Sequence, residues 1–351
     1  MDGITVLITG VGAPGIKGTL YSLEKNFDNR KIKTVGTDMK EDAIGKYLCD
    51  KFYQIPKPSN NEYLSQLLNI CEKESVDVLL PQNTAELPAL AEHKKDFGNI
   101  GTEITISDRN SIEIANNKYK LMKTANKIDV PTPKFYLADN FNDLLEYANE
   151  LGWPKKRVVV KPPVSNGMRG LRIIDESMNL KDIFYSKKPT GVYLKMDNLK
   201  EILGPSFPRL LVMEYLPNKE YTVDVLNTES LTVIPRKRDL IKYGITFNGT
   251  VEKNEEIIEY SERLSEALDL RYAYGFQFKL DENNVPKLLE SNPRIQGTMV
   301  LATFAGANII YGAVKYALGE EVPEFDIVWG TRIMRYWGGI RVNEATILGR
   351  L

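Results

Sequence analysis

Residues 1–112 alternate short apolar runs with amphipathic stretches, and that alternation leaves few folds open. Ile4-Thr-Val-Leu-Ile-Thr9 has the length and character of a buried strand, and a helical stretch follows through Leu20-Tyr-Ser-Leu-Glu24. Lys33-Thr-Val-Gly-Thr-Asp38 reads as a second strand and Phe52-Tyr-Gln-Ile-Pro56 as a short third. Asn61 to Ser75 places Leu64, Leu67, Leu68 and Cys71 at the 3–4 spacing of one helical face, and Val76-Asp-Val-Leu-Leu-Pro81 is another buried strand. Strands and helices in strict alternation predict a parallel sheet with helices on both faces.

The texture changes after a helical connector, Asp108 to Asp129, that stops at Val130-Pro-Thr-Pro133, because proline excludes the helical conformation from the residue before it. Strands are expected at 133–138, 157–161, 170–174 and 210–215, with a helix at 142–151. Residues 186–208, rich in Pro, Gly and Lys, read as a surface excursion. Further strands are expected at 220–226, 231–235, 274–280 and 286–291, helices at 255–268 and 309–318, and a closing strand at 332–342.

Bulk composition excludes several classes of function. Lys plus Arg is 46 against 47 Asp plus Glu, so no net field favours nucleic acid or a membrane surface as partner. Cys49 and Cys71 are too few for a disulfide framework or a cysteine zinc site and read as free thiols of a reducing, cytoplasmic compartment. The start, Met1-Asp-Gly-Ile-Thr-Val6, has no secretory-signal pattern, and no apolar run approaches the roughly 20 residues of a membrane helix. One histidine, His93, in the helical stretch Leu87 to Phe97, makes a histidine triad or a histidine zinc site a poor expectation.

Chemistry concentrates in one hairpin. Phe276-Gln-Phe-Lys-Leu280 and Lys287-Leu-Leu-Glu-Ser291 flank a polar turn, and Asn283-Asn284 fits a two-residue loop because asparagine tolerates positive φ. That turn sets 280 opposite 287 and 277 opposite 290, so Gln277 and Glu290 share a face, with Asn292 beside them by strand periodicity. Carboxylate and amide oxygens suit Mg²⁺, which takes one or two carboxylates and otherwise uses waters and substrate phosphates. Arg294 can present its fork of donors to a phosphate. On these residues alone, an exposed polar sheet face is an equal alternative.

With that hairpin in place, the sequence resembles the ATP-grasp superfamily, in particular the carbamoyl-phosphate synthase large-subunit type, with a likeness to biotin carboxylase in Asn292-Pro-Arg-Ile-Gln296. The resemblance implies a Rossmann-like parallel-sheet domain over 1–112, a small ATP-grasp subdomain over 113–215, and a central subdomain with the metal site over 216–351. It implies nucleotide-binding lysines at Lys118 and Lys161, and a phosphate flap at Val164-Ser-Asn-Gly-Met-Arg-Gly170 in which Gly167 and Gly170 let backbone amides approach phosphate. The adenine hinge would be Val212-Met-Glu-Tyr-Leu216, with Glu214, Tyr215 and Leu216 at the base, and the ribose carboxylate would be Glu220. Gln277, Glu290 and Asn292 would hold the metal, Mg²⁺ with Mn²⁺ as substitute, and Lys161 and Arg294 would stabilise the transferring phosphoryl group. Met168 and Arg169 depart from the family's usual glycine- and serine-rich flap tip. Arg236, in Arg236-Lys-Arg238, is expected either to bind a substrate carboxylate or phosphate or to belong to a solvated charge run.

The implied activity is ATP-dependent joining of a small carboxylate to an amine, or to a thiol, through an acyl phosphate, with release of ADP and phosphate. Carbamoyl phosphate production needs a second synthetase half and a glutaminase, which this sequence does not contain. A homodimer is compatible with the resemblance. A rival comes from Gly10-Val-Gly-Ala-Pro-Gly15, which follows a strand, opens a helix and has Asp38 on the next strand end, as in a dinucleotide fingerprint. An NAD-dependent oxidoreductase is therefore the alternative, and a regulatory protein that binds nucleotide without turnover is a third reading. Pro81-Gln-Asn-Thr-Ala-Glu86 follows a strand end and belongs to whichever pocket the glycine loop serves.

Overall fold

The structure is a computed structural model that describes residues 2–186, 191–242, 244–336, 338–343 and 346–350. In chain order its first elements are β1 (Ile4–Thr9), α1 (Ile16–Glu24), β2 (Ile32–Asp38), β3 (Lys51–Gln54), α2 (Tyr63–Glu74), β4 (Val78–Leu80), α3 (Leu87–Glu92), α4 (Lys94–Asn99), β5 (Glu103–Ile104) and α5 (Arg109–Asn116). Next come α6 (Lys118–Lys127), β6 (Phe135–Ala138), α7 (Phe141–Glu150), β7 (Val158–Lys161), β8 (Arg172–Ile174), α8 (Leu180–Ser186), β9 (Tyr193–Leu194), α9 (Met196–Leu203) and β10 (Leu210–Glu214). The last third holds β11 (Glu220–Asn227), β12 (Leu231–Lys242), β13 (Ile245–Val251), α10 (Glu255–Leu268), β14 (Tyr272–Leu280), β15 (Pro286–Asn292), α11 (Val300–Phe304), α12 (Ile309–Ala317), β16 (Arg332–Met334), β17 (Ile340–Asn343) and β18 (Thr346–Arg350).

The chain forms two compact units. Met1–Ala115, Glu220–Gln277 and Ser291–Leu351 make one, and Asn116–Lys219 with Phe278–Glu290 make the other. In the first unit, β3-β2-β1-β4-β5 form a sheet in which every neighbouring pair is parallel, as the alternation predicts. Strand periodicity explains why helices cover both faces. Leu7 and Leu79 point to the face packed with Leu67, Leu90 and Phe97. Val6, Ile8, Val78 and Leu80 point to the other, against Met299, Leu301, Tyr311 and Val314. The same unit carries the antiparallel run β11-β12-β13-β16 with β14 beside β11, and β12 bulges after Arg238.

In the second unit the sheet order is β6-β10-β7-β8-β9. Val158, Val160 and Val212 pack with Leu144, Ala148, Met196 and Leu199 on one side. Leu211 and Met213 pack with Met122 and Tyr119 of α6 on the other.

Two expectations need correction. The stretch 186–208 is not merely a surface excursion: β9 pairs with β8, and α9 buries Met196 and Leu199, three residues apart on one helical face. Its Lys, Pro and Gly content masked that spacing, and residues 187–190 lie outside the described residues. The strand expected over 332–342 is two strands, β16 against β13 and β17 against β18, and Trp337 between them lies outside the described residues. Among the described residues no helix is long and apolar enough to cross a membrane.

Candidate active site

The second unit brings several of the expected nucleotide residues together. The connector helix breaks at Asn117, which is extended (φ −98°, ψ 105°) and caps α6 by accepting from the backbone N–H groups of Tyr119 and Lys120. That cap starts a new first turn and fixes Lys118, whose backbone N–H donates to Pro163 O at 2.9 Å. The Lys118 ammonium is 4% exposed, donates to Ser165 O at 2.6 Å and lies 3.4 Å from Glu290 Oε2. One lysine thus ties the base of the flap to the carboxylate expected to hold the metal.

Lys161 ends β7, opposite Leu211 of β10, and is 5% exposed, so a charge sits at the end of an apolar strand. The flap beyond it is exposed, with Gly167 at φ 61°, Met168 at φ 63° and Gly170 at φ 75°. Gly170 is required there for a second reason: a Cβ would lie 2.6 Å from Pro162 Cδ, at the neck of the loop. Arg169 turns back on its own loop, Nη1 donating to Asn166 O at 3.1 Å.

Along the expected hinge, the Glu214 N–H donates to Lys134 O at 2.9 Å, while its carboxylate accepts from the Lys134 N–H and from Lys287 Nζ, both at 3.0 Å. The Tyr215 ring lies between Arg157, 5.5 Å from its centroid, and Lys279 at 5.7 Å. Leu216 is 3% exposed.

The hairpin turn differs from the expected two-residue loop. Asn284 N–H donates to Asp281 O and Asp281 N–H to Val285 O, both at 3.1 Å, so residues 282–284 form the loop with Asn284 at φ 63°. Asp281 decides this, because its Oδ1 accepts from the N–H groups of Asn283 (2.8 Å) and Val285 (2.9 Å). The closure is one step off the expected register, which removes the argument that set Gln277 directly opposite Glu290. Glu290 and Asn292 still share a strand face. Glu290 and Asn292 leave one carboxylate and one amide on that face, and among the described residues no three His, Cys, Asp or Glu side chains cluster as a metal cage. Such a set fits an ion that brings phosphate and water ligands with it.

In the first unit, Arg294 is fixed by Nε to Thr84 Oγ1 at 2.8 Å and Nη1 to Ile295 O at 2.8 Å, with Nη2 3.3 Å from Asn292 Oδ1. Beside Thr84 lies a group that sequence reasoning left without a role. Glu86 is 1% exposed and accepts from Thr9 Oγ1 (2.5 Å), the Asn83 N–H (2.9 Å) and the Tyr63 hydroxyl. Burial raises its pKa, against those hydrogen bonds and the Arg294 charge. Its one sequence signal was its place just after a strand end.

Glu220 is paired with Arg238, whose Nε also donates to Thr246 Oγ1 at 2.9 Å. Arg236 is neither of the things expected of it. It is 1% exposed and faces Asp224 across β11–β12, Nη2 donating to Oδ1 at 2.6 Å and Nε 2.5 Å from Oδ2. Burial raises the Asp224 pKa, opposed by Arg236. The basic run is therefore matched charge by charge, with Lys237 on Glu252 at 2.9 Å.

The N-terminal glycine loop is filled from within. Asp38 Oδ2 accepts from the Gly12 N–H at 2.7 Å and Oδ1 from the Lys40 N–H at 2.9 Å. At Gly15, where a pyrophosphate would sit in a dinucleotide fold, a Cβ would lie 2.4 Å from Gly297 Cα. Backbone of the 297 turn occupies that approach, and the acid expected to read ribose is engaged by the loop itself.

Residues 206–336 match a family described as ATP-grasp in the biosynthetic pathway with Ter operon, and residues 6–105 match the PylC-like, N-terminal domain. The carbamoyl phosphate synthase large chain of Caldanaerobacter subterraneus subsp. tengcongensis is 27% identical over 276 residues, 74% of this chain and 24% of that protein. The chain thus spans about a quarter of the length of such curated relatives. Among solved structures, N5-carboxyaminoimidazole synthetase from Staphylococcus aureus complexed with ADP matches with TM-score 0.67 and 18% identity over 93% of this chain and 80% of that one. A biotin carboxylase–βγ-ATP complex from Campylobacter jejuni matches with TM-score 0.67 and 16% identity over 91% of this chain and 72% of that one. At these identities the structural matches establish the fold.

Proposed function

We propose that this chain, which over residues 206–336 matches an ATP-grasp family and shares the fold of ATP-grasp ligases, is an ATP-dependent ligase joining a small carboxylic acid to an amine through an acyl phosphate. A thiol acceptor would use the same chemistry. The observation that carries the reading is the convergence on Lys118 of the Ser165 carbonyl at 2.6 Å and the Glu290 carboxylate at 3.4 Å. A flap lysine paired with a metal carboxylate is the resting form of a site that receives Mg-ATP: triphosphate would take over the lysine and metal the carboxylate.

In this reading Lys118, Lys161 and the flap amides around Gly167 and Gly170 bind phosphate oxygens, Glu214, Tyr215 and Leu216 receive the base, and Glu220 the ribose. Gln277, Glu290 and Asn292 hold Mg²⁺, with Mn²⁺ as substitute; the ion supplies charge neutralisation on the phosphates. The substrate carboxylate attacks the γ-phosphorus, ADP leaves, and the amine then displaces phosphate. Lys161 and Arg294 neutralise the phosphoryl charge; their contribution is positioning and electrostatics rather than covalent chemistry. A cytoplasmic protein acting on small molecules, alone or as a homodimer, fits this scheme.

The oxidoreductase alternative is disfavoured by the filled glycine loop, and a nucleotide-binding regulator by the retained lysines and Glu290. Thermal shift separates them: Mg-ATP is expected to stabilise the protein and NAD to leave it unchanged. Stabilisation by NAD alone would sink the ligase reading. Glu290→Gln is expected to abolish ADP formation with the fold retained, and full turnover would remove Glu290 from the metal role.

A further inference from the structure

The sheet register sets one of the three cations in Arg236-Lys-Arg238 against an acid that the proposed chemistry uses. Tyr221 pairs with Lys237 and Thr222 with Arg236, so the next step along β11 and β12 brings Glu220 opposite Arg238. Arg238 Nη1 donates to Glu220 Oε1 there. Its two other nitrogens turn to the far end of the β12–β13 ribbon, Nε donating to Thr246 Oγ1 at 2.9 Å and Nη2 to Gly244 O at 2.5 Å. The β12–β13 ladder shifts register between Arg238 and Leu240, and such a bulge re-aims the side chains beside it. Three partners therefore hold one guanidinium, and its side chain is only 6% exposed.

A guanidinium fixed at three points is a rigid mount for the carboxylate it touches. The rotamer freedom that Glu220 would otherwise lose on binding a ligand is then already lost in the folded protein. The contact takes Oε1 and leaves the second carboxylate oxygen to accept from ribose hydroxyls. The pairing also removes a repulsion: a bare carboxylate disfavours a nearby triphosphate, whereas one matched to a guanidinium offers an acceptor oxygen without net charge. A lysine would supply the charge but not the fork that reaches Glu220, Thr246 and Gly244 together. The neighbouring cations have other acids, Asp224 for Arg236 and Glu252 for Lys237.

We propose that Arg238 is a positioning residue for nucleotide recognition: it holds the Glu220 carboxylate in the orientation that accepts from the ribose hydroxyls, and so makes the β12–β13 ribbon part of the site's ribose specificity. Glu220 touches the ligand and Arg238 acts through it. This role rests on the ligase reading, specifically on Glu220 at the ribose, and deepens it by naming what sets that carboxylate's geometry. The Thr246 hydroxyl and the Gly244 carbonyl are the struts that keep the guanidinium in place.

The test compares Mg-ATP with the magnesium complex of 2′,3′-dideoxy-ATP, which lacks both ribose hydroxyls, by isothermal titration calorimetry on the full chain. The readout is the ratio of the two dissociation constants. The unmodified protein is expected to favour ATP by about 10- to 100-fold, the range of a hydrogen bond to a charged group. Binding of neither nucleotide would remove the ligase reading, and a ratio near one would overturn the ribose role and the proposal together. Glu220→Ala should bring the ratio close to one, and a ratio unchanged in that variant would take Glu220 away from the ribose. Arg238→Met should lower the ratio most of the way by weakening ATP, with little change for the dideoxy nucleotide, and Arg238→Lys should recover only a small part. A packing defect weakens both nucleotides alike, so an unchanged ratio in Arg238→Met beside a lowered one in Glu220→Ala overturns the positioning role alone. Full recovery by lysine would overturn it too, by reducing the role to charge. Circular dichroism checks the fold. If Arg238→Met does not fold, Thr246→Val, which removes one strut, should lower the ratio several-fold, and an unchanged ratio there overturns the proposal.

Discussion

Removing Asp224 tests how much of the first unit depends on one matched pair of charges. Asp224→Asn leaves a guanidinium that is 1% exposed without the one ion-pair partner it has among the described residues. Both contacts, at 2.6 and 2.5 Å, become a weak amide contact at best, and the guanidinium is left to interact with the like charge of Arg335. Breaking a buried pair from one side costs about 3–5 kcal/mol, because the surviving ion keeps its desolvation penalty without its attraction. Replacing both ions with apolar groups of similar volume, Asp224→Leu with Arg236→Met, removes penalty and attraction together and is expected to be close to neutral. Urea denaturation monitored by tryptophan fluorescence and circular dichroism measures both, and the double variant should recover most of what the single one loses. An Asp224→Asn variant that loses under about 1 kcal/mol would refute the argument, since water or another acid must then already stabilise Arg236. A double variant as damaged as the single one would refute it differently, by making the defect steric.

Two further outcomes follow from the same first unit. Gly15→Ala forces a methyl group to within 2.4 Å of Gly297 Cα and 2.9 Å of Gly297 O, so a loss of about 1–3 kcal/mol is expected in the same assay, and unchanged stability would mean that the 297 turn does not press on the glycine loop. Glu74 is held down to about 2, mainly by hydrogen bonds from Lys33, Lys51 and Tyr53, from an ordinary value of 4.5. Because the folded value is the lower, its contribution is complete above pH 4.5 and disappears as pH falls towards about 2. Glu74→Gln should therefore flatten stability against pH over that interval, and parallel curves for the two proteins would count against it.

How much of this was legible in the sequence depended on the range of the interaction. The parallel sheet was visible because short continuous apolar runs such as Ile4 to Thr9, alternating with amphipathic stretches, form a local pattern. Helix α9 was missed because two buried side chains are a weak signal under a run of lysines, prolines and glycines. The hairpin was visible, but its register turned on Asp281, whose carboxylate captures two backbone N–H groups and lengthens the loop by one residue. A two-asparagine turn and a three-residue loop differ by less than propensity can resolve. Within the site, the pairing of Lys118 with Glu290 spans residues far apart in sequence, and only chain order had linked them. Arg236 was read from its charge alone, and its burial against Asp224 is set by a strand register that no local pattern encodes.

The interleaving of the two units has a consequence for how the chain is made. The first 115 residues belong to a unit whose remaining pieces begin only at Glu220 and Ser291. The face of the parallel sheet bearing Val6, Ile8, Val78 and Leu80 is closed by residues of α11 and α12, more than two hundred positions later. At ordinary elongation rates that apolar face waits on the order of tens of seconds for its cover. During synthesis it is a natural holding surface for chaperones, and a nascent chain released before α12 emerges would be adhesive rather than a smaller working protein.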